Sequence, residues 1–399
     1  DFTIFWIGQL ISLTGTWIQT VAQQWLVLKL TGSPFDLGLL VAVQFTPLLL
    51  LSLIGGAITD RVSKRNLLLL TQVINLFLAL ALGLLVSTGV VRFWHVLVFA
   101  ALLGTVNAFY TPARQSFVAD LVDRDSLLNA VALNSTLFNG ARVIGPAIGG
   151  LLVANLGLAL NFYLNAASFV AVIVGLLLIA ARPVTQTSER QSIARNVGEG
   201  LRFIADSPSV YTILALVGVA SLFAFNFTTL IPVVADNVLH VGSSGFGFLM
   251  AAMGTGSLIG AISLAFMNRS DMTRRFIYTG AFVFTVTEIF FGLSKSYGLS
   301  LALLVLVGLA SNFFTTTANT TVLSSTPRNL QGRVMSVYSL LFLGVTPFGS
   351  LLSGFIAQRW GTPVALVGGA VITVIFTLAV FIYRPTRRRR PPAERAYAT

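Results

Sequence analysis

Twelve long apolar segments dominate this sequence of 399 residues. Each has about 20 residues or more, the length that an α-helix needs to cross about 30 Å of hydrocarbon. The segments are continuously apolar, without the two-residue alternation of a transmembrane β-barrel, and so predict an all-α membrane protein with twelve transmembrane helices. Their approximate extents are 3–29, 35–58, 66–88, 93–113, 127–155, 159–181, 210–236, 244–267, 275–294, 299–322, 333–358 and 363–383.

Composition and missing motifs exclude several classes of protein. Only 10% of the residues are charged, against about 25% in soluble domains, and the mean hydropathy is +0.86. The net charge of +12 is spread over many short loops, which favours contact with anionic lipid over binding of nucleic acid. There is no Cys and there are only two His, so neither a disulfide nor a metal site is expected. The sequence has no phosphate-binding loop of the Gly-x4-Gly-Lys-Ser/Thr kind and no candidate catalytic triad, so we expect neither an enzyme nor a cofactor.

The basic residues predict an orientation in the membrane. With both termini in the cytoplasm, four cations lie at the outer ends of the segments (Lys29, Arg92, Lys295 and Arg359), and Arg142 lies within the fifth segment. The other twenty fall on the cytoplasmic side, as the positive-inside rule requires. They are Arg61, Lys64, Arg65, Arg114, Arg124, Arg182, Arg190, Arg195, Arg202, Arg269, Arg274, Arg275, Arg328, Arg333, Arg384, Arg387, Arg388, Arg389, Arg390 and Arg395.

One long polar stretch divides the twelve segments into six plus six. It runs from Arg182 to Asp206 and has apolar residues at helical spacing (Ile193, Val197, Leu201 and Ile204), which predicts an amphipathic helix at the membrane interface. The predicted units are a six-helix bundle over 1–182, a cytoplasmic amphipathic linker over 183–208, a second six-helix bundle over 209–385 and a basic cytoplasmic tail over 386–399.

The two halves repeat one another. Gly104 and Asn107 in the fourth segment correspond to Gly308 and Asn312 in the tenth, and Pro146 in the fifth corresponds to a proline in the eleventh. The corresponding residues are 201 to 205 positions apart. A parallel repeat of this kind, related by an axis along the membrane normal, is an architecture of secondary transporters.

A short charged stretch, Gly55–Arg65, connects the second and third segments. A Gly pair permits close helix approach, a lone carboxylate can accept helix-end N–H groups or an arginine, and three cations favour the cytoplasmic face. Arg114 ends the fourth segment on the same side. The predicted cytoplasmic gate consists of Gly56, Asp60, Arg61, Lys64, Arg65 and Arg114, and the alternative is a surface ion pair that only sets topology.

The chain resembles the major facilitator superfamily over essentially its whole length, and two motifs carry the resemblance. The first is the gate stretch, with Ser63 where the family usually has glycine. The second is the antiporter motif of the fifth segment, with Ala141 where a further glycine is common. Its residues Gly145, Pro146, Gly149 and Gly150 predict a kinked helix with a smooth face, which Gly254, Gly256 and Gly260 of the eighth segment approach.

Longer stretches resemble the drug and siderophore proton antiporter branch of that superfamily, for example Pro112–Gln115 and Gly332–Tyr338. The resemblance implies two pseudo-symmetric six-helix bundles, alternating access and an Asp60–Arg114 contact that closes the cytoplasmic side. The chain departs from many drug–proton antiporters because its fourth segment carries no charge over Val98–Gly104. Proton coupling through an arginine at that place is therefore not expected.

Three carboxylates lie at membrane depth and are candidates for proton coupling: Glu288, which is the deepest, Asp36 and Asp236. A buried carboxyl group is more stable in its neutral form and can take up a proton. The alternatives are a hydrogen bond between helices for Glu288 and ordinary polar helix ends for the two aspartates.

A polar-lined substrate cavity is predicted from residues at membrane depth. Arg142 in mid-span needs a partner or water, and it either meets an anionic substrate or a coupling carboxylate, or forms a permanent structural ion pair. The amides offer hydrogen bonds to an amphipathic ligand or between helices. The candidates are Gln19, Gln23, Gln44, Asn107, Asn139, Arg142, Asn226 and Asn312.

These features together predict a monomeric transporter in the cytoplasmic membrane that exports small amphipathic molecules, drugs or siderophores, in exchange for protons. The alternative is a lysophospholipid transporter or flippase in which Arg142 meets the phosphate, because a lysophospholipid transporter is among the related sequences. A sensor or scaffold without transport activity is a more remote alternative. The expected partners are the substrate, protons and the lipid bilayer, without nucleic acid.

Overall fold

The computed structural model describes residues 1–59, 61–123, 126–179, 193–267 and 274–383. Within these ranges the chain forms fifteen α-helices, two short π-helical segments and no strand. The helices of the first half are α1 (Phe2–Thr31), α2 (Pro34–Thr59), α3 (Lys64–Ser87), α4 (Phe93–Asp120), α5 (Leu127–Leu156), α6 (Leu158–Leu178) and α7 (Ile193–Asp206). Those of the second half are α8 (Pro208–Phe223), α9 (Phe227–Val233), α10 (Gly242–Ala265), α11 (Arg274–Leu293), α12 (Tyr297–Ser324), α13 (Gln331–Ser339), α14 (Thr346–Trp360) and α15 (Thr362–Ile382).

The helices form the twelve predicted spans. The seventh span joins α8, α9 and the π-helical segment Val234–Val238, and the eleventh joins α13, the π-helical segment Leu340–Gly344 and α14. In the described chain, eleven spans are long and apolar enough to cross a membrane. The remaining one, α1, has 30 residues but carries several glutamines that lower its hydropathy.

The fourth span is longer than predicted. We expected it to end at residue 113, just after Pro112, but α4 continues to Asp120 with the proline inside it. A proline is tolerated in a membrane helix when its neighbours satisfy the freed backbone carbonyl. The extra turns carry Arg114 on the helix rather than in a loop.

Close contacts at glycines reveal the internal repeat in three dimensions. A Cβ atom on Gly104 of α4 would collide with the carbonyl of Gln44 in α2, and one on Gly308 of α12 would collide in the same way with Met253 in α10. The bundles also meet along two equivalent seams, α5 with α10 and α2 with α14. The duplicated unit therefore uses equivalent packing contacts in each half.

The two bundles are joined at one end of the molecule, which we call the Lys29 end; the opposite end is the Arg65 end. At the Lys29 end, one buried cluster draws side chains from both bundles, and Trp25 of α1 stacks on Phe246 of α10 with ring centroids 6.0 Å apart. At the Arg65 end, the described buried clusters each belong to one bundle, around Phe117 in the first and around Tyr338 in the second. Among the described residues, the buried cluster that joins the bundles therefore lies at the Lys29 end.

Helix α7 lies within the predicted linker 183–208, whose residues 183–192 lie outside the described residues. Ile204 is buried in the core of the second bundle, whereas Leu201 is 50% exposed. Glu199 forms an ion pair with Arg333 of α13. The helix thus packs against α13 through part of its apolar face and leaves another part free.

Candidate substrate cavity and gates

A cavity of about 210 Å³ lies inside the first bundle. All of its described lining belongs to α1–α6, and it extends along α1 from Ser12 to Gln24, about 18 Å at the rise of an α-helix. Its lining is a mixture of amide, hydroxyl, aromatic and aliphatic side chains. The polar residues that line it are Ser12, Thr16, Gln19, Thr20, Gln23, Gln24, Gln44, Gln72, Asn75, Asn107, Tyr110, Arg114 and Asn165.

Hydrogen bonds hold part of this lining in place. The Asn165 amide of α6 donates to Gln19 Oε1 of α1 at 2.7 Å, and the Tyr110 hydroxyl of α4 donates to Gln9 Oε1 at 2.7 Å. Two amide oxygens on α3, Gln72 Oε1 and Asn75 Oδ1, are buried and have no hydrogen-bond partner. An unsatisfied buried acceptor costs about 1–3 kcal/mol, so these oxygens are ready to accept a hydrogen bond from water or a ligand.

Arg114 brings a positive charge to the cavity wall. Its side chain is only 8% exposed. One guanidinium nitrogen donates to Asn134 Oδ1 at 3.1 Å, and the guanidinium carbon lies 5.9 Å from the centroid of the Tyr110 ring. Its Nε atom is buried without a partner. Arg114 is therefore held by a neutral amide and an aromatic ring.

Four of the eight predicted cavity residues line this cavity: Gln19, Gln23, Gln44 and Asn107. The other four lie elsewhere, and the three asparagines among them each make a local contact. Asn139 donates to the Ser135 carbonyl of its own helix. Asn226 donates to the carbonyls of residues 221 and 222 at the end of α8, and Asn312 accepts a hydrogen bond from Thr316.

Arg142 lies where α5, α1 and α10 meet. Its guanidinium carbon is 5.8 Å from the centroid of the Trp17 ring, and a guanidinium nitrogen is 3.9 Å from Met253 Sδ. Its Nε atom is buried and unpartnered. The described ion pairs do not include Arg142. The structure thus contains no structural ion pair for this residue among the described side chains.

The sequence reasoning missed polar lining residues on α1, α3, α4 and α6. Gln72, Asn75 and Asn165 lie on α3 and α6, from which no cavity residue was predicted. Gln72 and Asn75 are three residues apart and so share a helix face, which was an available signal. Arg114 was assigned only to a gate, because the fourth span was expected to end before it.

The gate residues occupy different environments. An added Cβ on Gly56 would meet open space, whereas one on Gly55 would collide with the backbone of α4. Arg61 is exposed, and Lys64 pairs with Asp120 of α4 at 2.6 Å. Arg65 donates to the carbonyls of Leu176 and Leu177 at the end of α6, at 2.6 and 3.2 Å. Asp60 lies outside the described residues, so its contact with Arg114 stays a prediction.

The antiporter motif lies along a dense seam. Gly145 and Gly149 contact α1, while Gly150 lies against Gly247 of α10, where a Cβ on either glycine would collide with the opposite backbone. Gly254 faces the Arg142 backbone as expected. Gly256 and Gly260 were assigned to the wrong helix, because both face α12 around Val305 and Leu309. Glycines on one helix can serve two different neighbours, and their spacing alone does not tell which.

The three carboxylate candidates differ in burial. Glu288 on α11 is 1% exposed, and its Oε2 atom has no hydrogen-bond partner. Asp236 pairs with Lys29 across the two bundles at 3.1 Å. Asp36 is half-buried in the first turn of α2, where the helix dipole favours a carboxylate.

The comparisons with known proteins agree along nearly the whole chain. The multidrug efflux pump Tap of Mycolicibacterium fortuitum is 26% identical over 93% of this chain and 92% of its own length. The staphyloferrin A transporter of Staphylococcus aureus is 26% identical over 94% of each chain. The enterobactin exporter EntS of Escherichia coli is 28% identical over 98% of this chain and 94% of its own.

Solved structures of transporters share the fold at low sequence identity. A bacterial homologue of the human lysosomal transporter Spinster, in an inward-facing and occupied conformation, aligns over 98% of both chains with a TM-score of 0.78 and 15% identity. The nucleoside transporter NupG aligns with a TM-score of 0.71 and 13% identity. A profile of the transmembrane secretion effector family matches residues 1–391. The chain therefore belongs to the transmembrane secretion effector family of the major facilitator superfamily, and is a multi-pass membrane transport protein.

Proposed function

We propose that this protein exports small amphipathic molecules, such as drugs or siderophores, from the cytoplasm by alternating access. Three relatives with about the same length are a multidrug efflux pump, a staphyloferrin A transporter and an enterobactin exporter. The observation that carries the proposal is the polar cavity in the first bundle, in a molecule whose described buried cluster between the bundles lies at the Lys29 end. The charge distribution supports a cytoplasmic membrane with both termini and the Arg65 end in the cytoplasm.

Alternating access requires contacts that break when the opposite side opens. The Lys29–Asp236 ion pair joins α1 of the first bundle to the π-helical segment of the second. Lys29 also lies 5.0 Å from the centroid of the Trp25 ring. This contact would hold the outer side closed while substrate enters from the cytoplasm. The predicted Asp60–Arg114 contact would close the cytoplasmic side in the other state.

Proton influx is the proposed source of energy, and Glu288 is the proposed proton site. It is the one fully buried carboxyl group among the described residues. A charged carboxylate without partners is costly at membrane depth, so the neutral form is favoured until water or a cation reaches it. A change in the packing of α11 against α12 or α15 could provide that access.

Transport into proteoliposomes with an imposed pH gradient tests the proposal. The purified chain should move a dye-like drug or a catecholate siderophore against its concentration gradient when protons flow the other way, and a protonophore should stop the movement. Empty liposomes provide the control for leak. If a lysophospholipid moves without any gradient and neither drug nor siderophore is transported, the result contradicts the exporter function and supports lysophospholipid transport.

A further inference from the structure

The cavity in the first bundle has a positive charge that no described lining residue neutralises. Arg114 is the one residue of the described lining that is fully charged at neutral pH, and no carboxylate is among them. A bare guanidinium repels a cation and attracts an anion, most strongly where water is excluded. The positive charge on the cavity wall therefore indicates that the ligand carries a negative charge.

Most N–H donors of the Arg114 guanidinium have no described hydrogen-bond acceptor. It carries five N–H donors, and its described hydrogen bond uses one of them, to Asn134. Its other contact is with the ring of Tyr110, and its Nε atom is buried and unpartnered. A buried arginine is costly unless a charged group or several hydrogen bonds satisfy it. An oxyanion in the cavity would accept two of the free N–H groups at once.

The neighbouring amides add a second requirement for the ligand. The unpartnered oxygens of Gln72 and Asn75 accept hydrogen bonds, so a hydroxyl or amide N–H on the ligand satisfies them. The cavity volume of about 210 Å³ is below the range of about 300–1,000 Å³ for sites that hold drug-sized ligands. The cavity therefore suits the polar part of a larger molecule, whose apolar part lies between the bundles.

We propose that this cavity binds an oxyanion group of the substrate at Arg114, so that the transported molecules are amphipathic organic anions and not organic cations. The carboxylate is the simplest group of this class. The inference rests on the proposed transport function, because it names the charge of the molecule that the exporter carries.

Two xanthene dyes of similar size test the charge preference. Fluorescein is an anion at mildly alkaline pH, and tetramethylrhodamine methyl ester is a cation. Binding of each to the full chain in lipid nanodiscs is measured by fluorescence anisotropy, with empty nanodiscs as the control for dye in the lipid. Fluorescein should bind at least about tenfold more tightly, the ratio that one charged hydrogen bond provides.

Variants locate the preference at Arg114. Arg114→Gln should weaken fluorescein binding about ten- to a hundredfold and leave rhodamine binding unchanged or stronger, whereas Arg114→Lys should retain part of the affinity. Arg359→Gln removes the same charge from an exposed site at the far end of α14 and should bind both dyes as the unaltered chain does. If Arg114→Gln does not fold, the anion site is tested by the ratio of fluorescein affinity to rhodamine affinity in the unaltered chain and in Arg114→Lys.

The outcomes separate this inference from the transport proposal. Equal binding of both dyes, or a preference that survives Arg114→Gln, overturns the anion site even if the pH gradient drives export. Selective fluorescein binding that depends on Arg114, without any gradient-driven movement of fluorescein in proteoliposomes, supports the anion site and contradicts the proton-driven exporter.

Discussion

At the scale of single residues, two buried ionisable side chains have no ion-pair partner among the described residues. Glu288 is buried in the second bundle with an unpartnered oxygen, and Arg142 lies at the seam between the bundles with Trp17 and Met253 as its neighbours. Isolated charged groups at membrane depth destabilise a protein and are kept where they have a function. Each of the two residues leads to a separate prediction.

Glu288→Gln keeps the size and hydrogen-bonding capacity of the side chain but cannot take up or release a proton. We expect it to reduce transport driven by a pH gradient to the passive leak while exchange of labelled for unlabelled substrate without a gradient continues. Both are measured with the same proteoliposomes. Asp36→Asn is the comparison, since Asp36 is half-buried at a helix start. Full gradient-driven transport by Glu288→Gln would exclude Glu288 as the proton site.

Arg142→Met should stabilise the protein and impair transport. A central arginine costs about 2.5–3.5 kcal/mol on insertion scales, and a desolvated contact with an aromatic ring returns about 2 kcal/mol or more, so the gain in stability should be at most about 1.5 kcal/mol. Thermal unfolding in detergent measures the stability, and proteoliposomes measure transport. A fall in stability would indicate that Arg142 has a structural partner.

At the scale of helices, contacts between small residues decide which helices meet. Gly150 of α5 and Gly247 of α10 allow the two backbones to touch, and Gly38 of α2 lies in the same way against Ser350 of α14. The association of membrane helices depends on such close packing, because lipid is as apolar as the helix surfaces. These two seams are therefore where the bundles contact each other.

Gly150→Ala should destabilise the protein by about 1–3 kcal/mol, the usual cost of overpacking, because its Cβ would press into the α10 backbone. Gly140→Ala is the matched control, since an added Cβ on that glycine of the same helix meets open space. Thermal unfolding in detergent compares the two. Equal unfolding temperatures of the two variants would show that the seam between α5 and α10 accommodates an added Cβ atom without strain.

At the scale of the whole molecule, the described buried cluster that joins the two bundles lies at the Lys29 end. The Lys29–Asp236 pair is partly exposed, with 51% and 28% of the two side chains accessible. An exposed pair of this kind contributes only about 0–1 kcal/mol. It is thus a contact that a transporter can break in each cycle.

A reversible crosslink between the bundles should stop transport. The chain has no Cys, so the double variant Lys29→Cys, Asp236→Cys can be joined by a short bifunctional methanethiosulfonate reagent, which spans the gap that the two shortened side chains leave. Crosslinking should abolish transport in proteoliposomes and reduction should restore it, because the outer side can no longer open. The control is Ser87→Cys with Tyr163→Cys, treated in the same way, at a side-chain contact of 2.9 Å within the first bundle. Undiminished transport by the crosslinked Lys29–Asp236 variant would argue against alternating access.

The sequence by itself determined the number of spans, the division into two repeated halves and the motifs of the gate and the α5 seam. These are local properties, since the length and apolarity of a segment decide whether it crosses a membrane. Only the tertiary structure decided which polar residues meet. Gln72, Asn75 and Asn165 join Gln19 around one cavity, whereas Asn139 and Asn226 make local hydrogen bonds to the backbone. The physical reason is that helices apolar on every side carry no pattern that fixes their rotation, so lateral packing sets it.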